Sequence, residues 1–127
     1  MLQARSLTPI LRIFDEAKAR EFYLDWLGFH PDFEHRFEDG APLYMGISLG
    51  NIRIHLSEHV GDASPGANIL IYCKGLVGYH TSITKVPYKY YRPAVEPYQW
   101  VEHHICMQVQ DPFYNKICFI EDIHGVQ

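Results

Sequence analysis

From Asn51 to Ser57 the chain alternates. Ile52, Ile54 and Leu56 are apolar, and Asn51, Arg53, His55 and Ser57 between them are polar. A period of two marks a strand with one buried face; a helix would repeat its apolar positions every three or four residues. Turn chemistry flanks the run, with Gly50-Asn51 before it and Gly61, Asp62, Pro65 and Gly66 after it. Strands are also predicted over 7–14 (LTPILRIF), 29–37 and 42–49. Between the first two lies a different period. Ala19, Phe22, Tyr23, Trp26 and Leu27 share one side of a helix over 16–28, with Asp15 as its N-cap and Gly28 as its C-cap. The first half therefore reads β-α-β-β-β.

The second half repeats that order. NILIYC (68–73) reads as a strand, and GLVGYHTSITK (75–85) as a helix weakened by Gly78 and β-branched residues. YKYYRP (88–93) reads as a short strand bounded by prolines. HHICMQVQD (103–111) and KICFIED (116–122) read as a hairpin across DPFYN. The letters repeat as well. GNIRIHLSE (50–58) matches YNKICFIE (114–121), which sets His55 against Cys118, and TPILRIF matches NILIYCK, which sets Thr8 against Asn68. The chain is read as one domain, 1–127, of two duplicated βαβββ modules at about 7–58 and 67–122. Both modules put apolar residues on one sheet face and a mixed set on the other, including Tyr44, Ser48, His55, His104, Cys106, Gln108 and Cys118. Such a face either meets water or lines a cavity. The apolar-type residues mixed into it favour the cavity.

HLSEH (55–59) matches H-x-x-E-H, a zinc-hydrolase pattern. That chemistry requires a helix, which holds the two histidines about 6 Å apart. On a strand they stand roughly 13 Å apart. The alternation makes 52–57 a strand, so the hydrolase reading fails on geometry. His103 and His104 are adjacent on a strand, point to opposite faces, and cannot chelate one ion together. His55 and His104, both on the polar face, are the fallback metal pair.

With 127 residues, 47% hydrophobic and 14% aromatic, the chain can build one ordinary core. A net charge of −4 argues against nucleic acid as a partner and suits a cationic ligand. The aromatic and basic residues of YKYYRP form one short patch on this acidic chain, more in keeping with a cavity rim or edge strand than a nucleic-acid platform. Cys73, Cys106 and Cys118 are odd in number and lack C-x-x-C spacing, which suggests reduced thiols and a cytoplasmic location. No leader peptide and no membrane span are expected.

Three stretches together carry a resemblance: TPILRIFDEAKAREFYLDWLGFHPDFEHRFEDGAPLY, IHLSEHVGDASPG and EPYQWVEHHICMQVQDPFYNKICFIED. The chain resembles the glyoxalase/bleomycin resistance proteins of the vicinal oxygen chelate superfamily, and most closely their bleomycin-resistance branch. The resemblance implies an α+β fold in which two βαβββ modules form an open, barrel-like cup, in a homodimer. It also implies metal-ligand places at Thr8, His55, Asn68 and Cys118, where relatives that are enzymes carry hard donors. Of these only His55 is a strong ligand, which matches the branch that lacks the metal and sequesters a bulky cationic glycopeptide between subunits.

The expected function is non-catalytic binding of a small cationic or aromatic molecule, with no cofactor. The ligand-binding candidates are Phe33, His35, Phe37, Tyr44, His55, Tyr98, Trp100, Glu102, His104 and Cys118. Trp100 and Phe37 offer aromatic faces for stacking on flat heterocycles and cations. Core or interface packing competes with that role for Trp100 and Phe33. The alternative is a divalent-metal-dependent lyase or dioxygenase rearranged around His55 and His104.

Overall fold

The computed structural model describes residues 1–125. The first module comprises β1 (Ile10–Arg12), α1 (Glu16–Arg20) with a π-helical continuation (Glu21–Trp26), β2 (His30–His35), β3 (Tyr44–Leu49) and β4 (Ile52–Ser57). The second comprises β5 (Asn68–Tyr72), α2 (Leu76–Thr84), β6 (Glu96–Pro97), β7 (His104–Gln110) and β8 (Lys116–Asp122). Each module folds into its own four-stranded sheet with the same topology, β1-β4-β3-β2 and β5-β8-β7-β6. In both, the first strand lies parallel to the last, so that Ile10 stands across from His55 and Leu70 across from Cys118. Both sheets are open, and neither closes into a barrel.

The apolar faces predicted from alternation are the buried ones. Ile54, Leu56, Met45 and Ile47 of the first sheet, and Met107, Val109, Ile117 and Phe119 of the second, join one core cluster with the helical residues Phe22, Tyr23, Trp26, Leu76 and Ile83. Polar bonds tie the modules across this core. Trp26 Nε1 donates to the Ile83 carbonyl (3.1 Å), and the Tyr79 hydroxyl to the Leu27 carbonyl (2.6 Å). The Tyr23 hydroxyl donates to Asp111 Oδ2 (2.6 Å), and Asn115 Nδ2 to the Arg12 carbonyl (2.9 Å). A mixed helix and sheet architecture results, with a single apolar centre and two outward sheet faces.

Local structure departs from the sequence pattern in four places. The predicted helix starts as expected, with Asp15 Oδ1 accepting from the Lys18 amide (3.0 Å), but widens to π geometry after Arg20. Its i→i+5 bonding, seen in the Leu27 amide to the Phe22 carbonyl (3.0 Å), draws residues four and five apart into line, and Phe22, Tyr23, Trp26 and Leu27 are all buried. The first strand is shorter than 7–14. Phe14 leaves it to pack beside Phe113, with ring centroids 6.1 Å apart. YKYYRP is not a strand. Pro87 and Pro93 deny it ladder donors, and Tyr88 stacks on Trp26 at 4.5 Å, so the edge strand is the later Glu96–Pro97. Finally, Ser57 shares the strand alternation of His55 but not its exposure. It is fully buried, and its hydroxyl donates to Asp62 Oδ2 (2.6 Å).

Candidate functional site

His55 sits in a cross-strand row. Phe33 on β2 and His55 on β4 both stand across from Gly46 on β3. With no side chain at Gly46, the Phe33 ring lies over its backbone; a Cβ there would come within 2.1 Å of the ring. Phe33 meets His55 edge to face at 5.2 Å and Tyr44 in a near-parallel stack at 6.2 Å. The Tyr44 hydroxyl is 2.7 Å from His55 Nδ1. Desolvation, then the charge of Asp62, pushes the Tyr44 phenol above its ordinary pKa, so it keeps its proton and can donate it to Nδ1. That bond leaves the ring proton of neutral His55 on Nε2. His35 and Phe37 form a neighbouring edge-to-face pair at 5.2 Å, and Phe37 also meets His59 at 6.1 Å.

The second sheet carries a cavity of about 510 Å³. Its strand side is formed by Glu96, Tyr98, Cys106, Gln108 and Cys118, and its rim by Arg92 and Trp100. Register places these groups on one face. Glu96 stands across from Cys106, and Gln108 across from Cys118. The Tyr98 amide donates to the His104 carbonyl (2.9 Å), which continues the edge beyond the two residues of β6. Desolvation, then Cys106, pushes the Cys118 thiol up to about 11. Desolvation, then Tyr72, Cys118 and Cys106, raises the Tyr98 phenol as well. Both groups are therefore neutral at physiological pH. Trp100 is 75% exposed, an indole with one face free to stack.

The ten residues proposed from sequence thus fall into separate groups. Phe33, Tyr44 and His55 form one aromatic cluster on the first sheet, with His35 and Phe37 beside it. Tyr98, Trp100 and Cys118 line the cavity on the second. Glu102 is exposed, and its carbonyl accepts a bond from His104 Nδ1 (2.7 Å) at the start of β7. Arg92, Glu96, Cys106 and Gln108 complete the cavity wall. The polar-face alternation pointed to Cys106 and Gln108. Arg92 lies in YKYYRP, read as a cavity rim or edge strand, while Glu96 carries no pattern, because the two residues of β6 are too few to show a period.

The four places where the resemblance implies metal ligands do not fit a hard divalent ion. The groups directly across from His55 and Cys118 are the apolar Ile10 and Leu70, while Thr8 and Asn68 lie exposed two residues earlier. The His55 nitrogen Nδ1 is bonded to Tyr44. His55 and His104 stand on different sheets. Among the described residues, no three His, Cys, Asp or Glu side chains converge where an ion could sit.

The model of the family described as Glyoxalase superfamily protein matches residues 2–126. The chain belongs to this superfamily. None of the curated proteins matches the sequence. Among solved structures, this glyoxalase-superfamily chain is similar to a bleomycin-binding protein from bleomycin-producing Streptomyces verticillus, complexed with copper(II)-bleomycin. Identity is 26%, the match covers 94% of this chain and 97% of that one, and the TM-score is 0.65. A glyoxalase/bleomycin resistance protein from Catenulispora acidiphila shares the fold at 17% identity and TM-score 0.68, over 93% and 98% of the two chains. A superfamily member from Sphaerobacter thermophilus does so at 17% and 0.62, over 95% and 99%. The superfamily fold of paired, open four-stranded sheets is the one seen here.

Proposed function

We propose that this superfamily member is a non-catalytic binder that sequesters a small organic molecule with an aromatic or cationic part, as a bleomycin-type resistance protein would. The cavity beside Trp100 carries this reading. It has the volume of a small-molecule site, an exposed indole, two neutral phenol and thiol groups, and only Glu96 and Arg92 as charges. Those charges suit a ligand with both polar signs at its edges, and a cationic heterocycle can stack on Trp100 near Glu96. A similar fold holds copper(II)-bleomycin in the Streptomyces verticillus protein. A metal-dependent reaction lacks support from the donors around His55 and His104. We further propose that the chain works as a cytoplasmic homodimer, in which the His55 cluster of one copy faces the Trp100 cavity of another. No helix among the described residues is long and apolar enough to cross a membrane.

Bleomycin is the probe for this reading. Titrating it into the protein should give a saturable change in tryptophan fluorescence, because Trp26 is buried and Trp100 is the exposed reporter. The change should vanish in Trp100→Phe. A flat titration with the intact wild-type protein would remove the drug-binding claim.

A further inference from the structure

We propose that Cys106 and Cys118 form a two-coordinate site for a soft monovalent cation, with Cu(I) as its physiological occupant. The two thiols belong to adjacent strands, Cys106 across from Ile120 and Cys118 across from Gln108. They are therefore diagonal neighbours on one sheet face. Diagonal Cβ atoms on paired strands lie roughly 7 Å apart, within reach of two Cβ–S bonds turned toward each other. Both sulfurs line the same cavity, and Cys118 is only 7% exposed while Cys106 is half-buried. The cavity floor thus offers one sheltered thiol and one that solvent can reach.

The donor count selects the ion. Zinc and iron–sulfur sites take four protein ligands or close to it, and hard cations need several oxygens. Among the described residues, no third His, Cys, Asp or Glu joins this pair. Soft thiolates favour Cu(I), and a d10 cation is satisfied by two of them in a line. Binding forms two S–Cu bonds and releases two thiol protons to solvent, with no change in oxidation state. The resulting S–Cu–S unit carries one negative charge, and the Arg92 guanidinium lines the same cavity. Cys73 is a built-in control, because it lines a separate cleft with Leu49, Ile52 and Phe119. The site stands independently of the organic-ligand reading, since it uses only the floor of the cavity.

The reduced full-length chain, held without oxygen, should withdraw one Cu(I) per chain from a chromogenic Cu(I) chelator and gain near-ultraviolet thiolate-to-copper absorption. Cys106→Ser and Cys118→Ser should each weaken binding by more than the roughly 10–100-fold that loss of an indirect partner costs a metal site. Cys73→Ser should leave it unchanged. Far-ultraviolet circular dichroism checks folding, and Cys106→Ser, at the less buried position, decides the matter if Cys118→Ser fails to fold. Failure to withdraw copper overturns the site. So does binding that survives Cys106→Ser, or equal loss in Cys73→Ser. Bleomycin titration followed at Trp100 is a separate readout, so either proposal can fail without the other.

Discussion

A single glycine decides how the aromatic cluster around His55 is built. Gly46 is buried in the middle of β3, where a glycine forgoes side-chain packing and strand propensity. Its reason is the Phe33 ring laid across it. In Gly46→Ala the new methyl would sit 2.1 Å from that ring, so the ring must leave. Phe33 is 44% exposed and can swing toward solvent, which keeps the cost near the lower end of overpacking, about 1 kcal/mol. Urea denaturation of Gly46→Ala should show that loss, and the loss should largely disappear in the Phe33→Ala background. Equal cost in both backgrounds would mean that the ring is not what requires glycine. The sequence shows Gly46 only as a break in an otherwise apolar strand. The contact behind it joins residues 33 and 46, and no local period reports such a pairing.

At the scale of elements, what is legible depends on whether one face is buried. Ile52, Ile54 and Leu56 announce β4 because the core lies on one side only, and Met107, Val109, Ile117 and Phe119 announce β7 and β8 in the same way. The stretch 88–95 is different. Tyr88 and Tyr91 turn to Trp26 while Tyr90 stays exposed, so the aromatic richness of the stretch mimics a strand without a ladder. The same coil brings Arg92 to the cavity and leads into the two-residue β6 that holds Glu96, which is why the site is less readable than the fold. The start of α1 supports a prediction of its own. Glu16 bonds to Arg20 one turn on and to Arg36 just after β2. The Arg20 bond, opposed by partial desolvation and aided by Arg36, holds the Glu16 carboxyl below its ordinary value of 4.5. A depressed folded pKa stabilises above the unfolded value and is lost as pH falls through the folded one. Glu16 also sits in the first turn of the helix, where a negative charge is favoured. Glu16 is partly open to solvent, so Glu16→Gln should cost only about 0.5–1 kcal/mol at pH 7. As pH falls through the folded pKa and the carboxyl protonates, the two proteins should converge on the same urea midpoint. A difference that does not shrink as the pH is lowered would assign the effect to packing instead of charge.

At the scale of the whole molecule, the core closes within one chain but the outward faces do not. Tyr23 to Asp111 and Asn115 to Arg12 lock the modules together from the inside. Outside, β1 and β5 end their sheets as unpaired edges. Unpaired edges invite another strand. Residues 1–9 form no regular structure, and Leu2 and Leu7 in that arm are 90% and 85% exposed. Leu70, Tyr72 and Phe33 add exposed apolar surface on the sheet faces. Apolar groups spread over an arm, an edge and two open faces are what a second copy of the chain would cover. The proposed dimer would also account for the split of the candidate groups: the His55 cluster and the Trp100 cavity lie on different sheets of one chain, and a two-fold partner would bring them face to face. Sedimentation equilibrium at tens of micromolar should therefore give twice the 14.8 kDa chain mass. Removing residues 1–8 should shift the equilibrium toward monomer and leave the far-ultraviolet circular dichroism of the modules in place, because none of their core side chains is lost. The truncated protein should also lose bleomycin affinity to the extent that it loses dimer. A full-length chain that sediments as a monomer would end the two-copy site, and a truncated chain that stays dimeric would move the contact from the arm to the sheet faces.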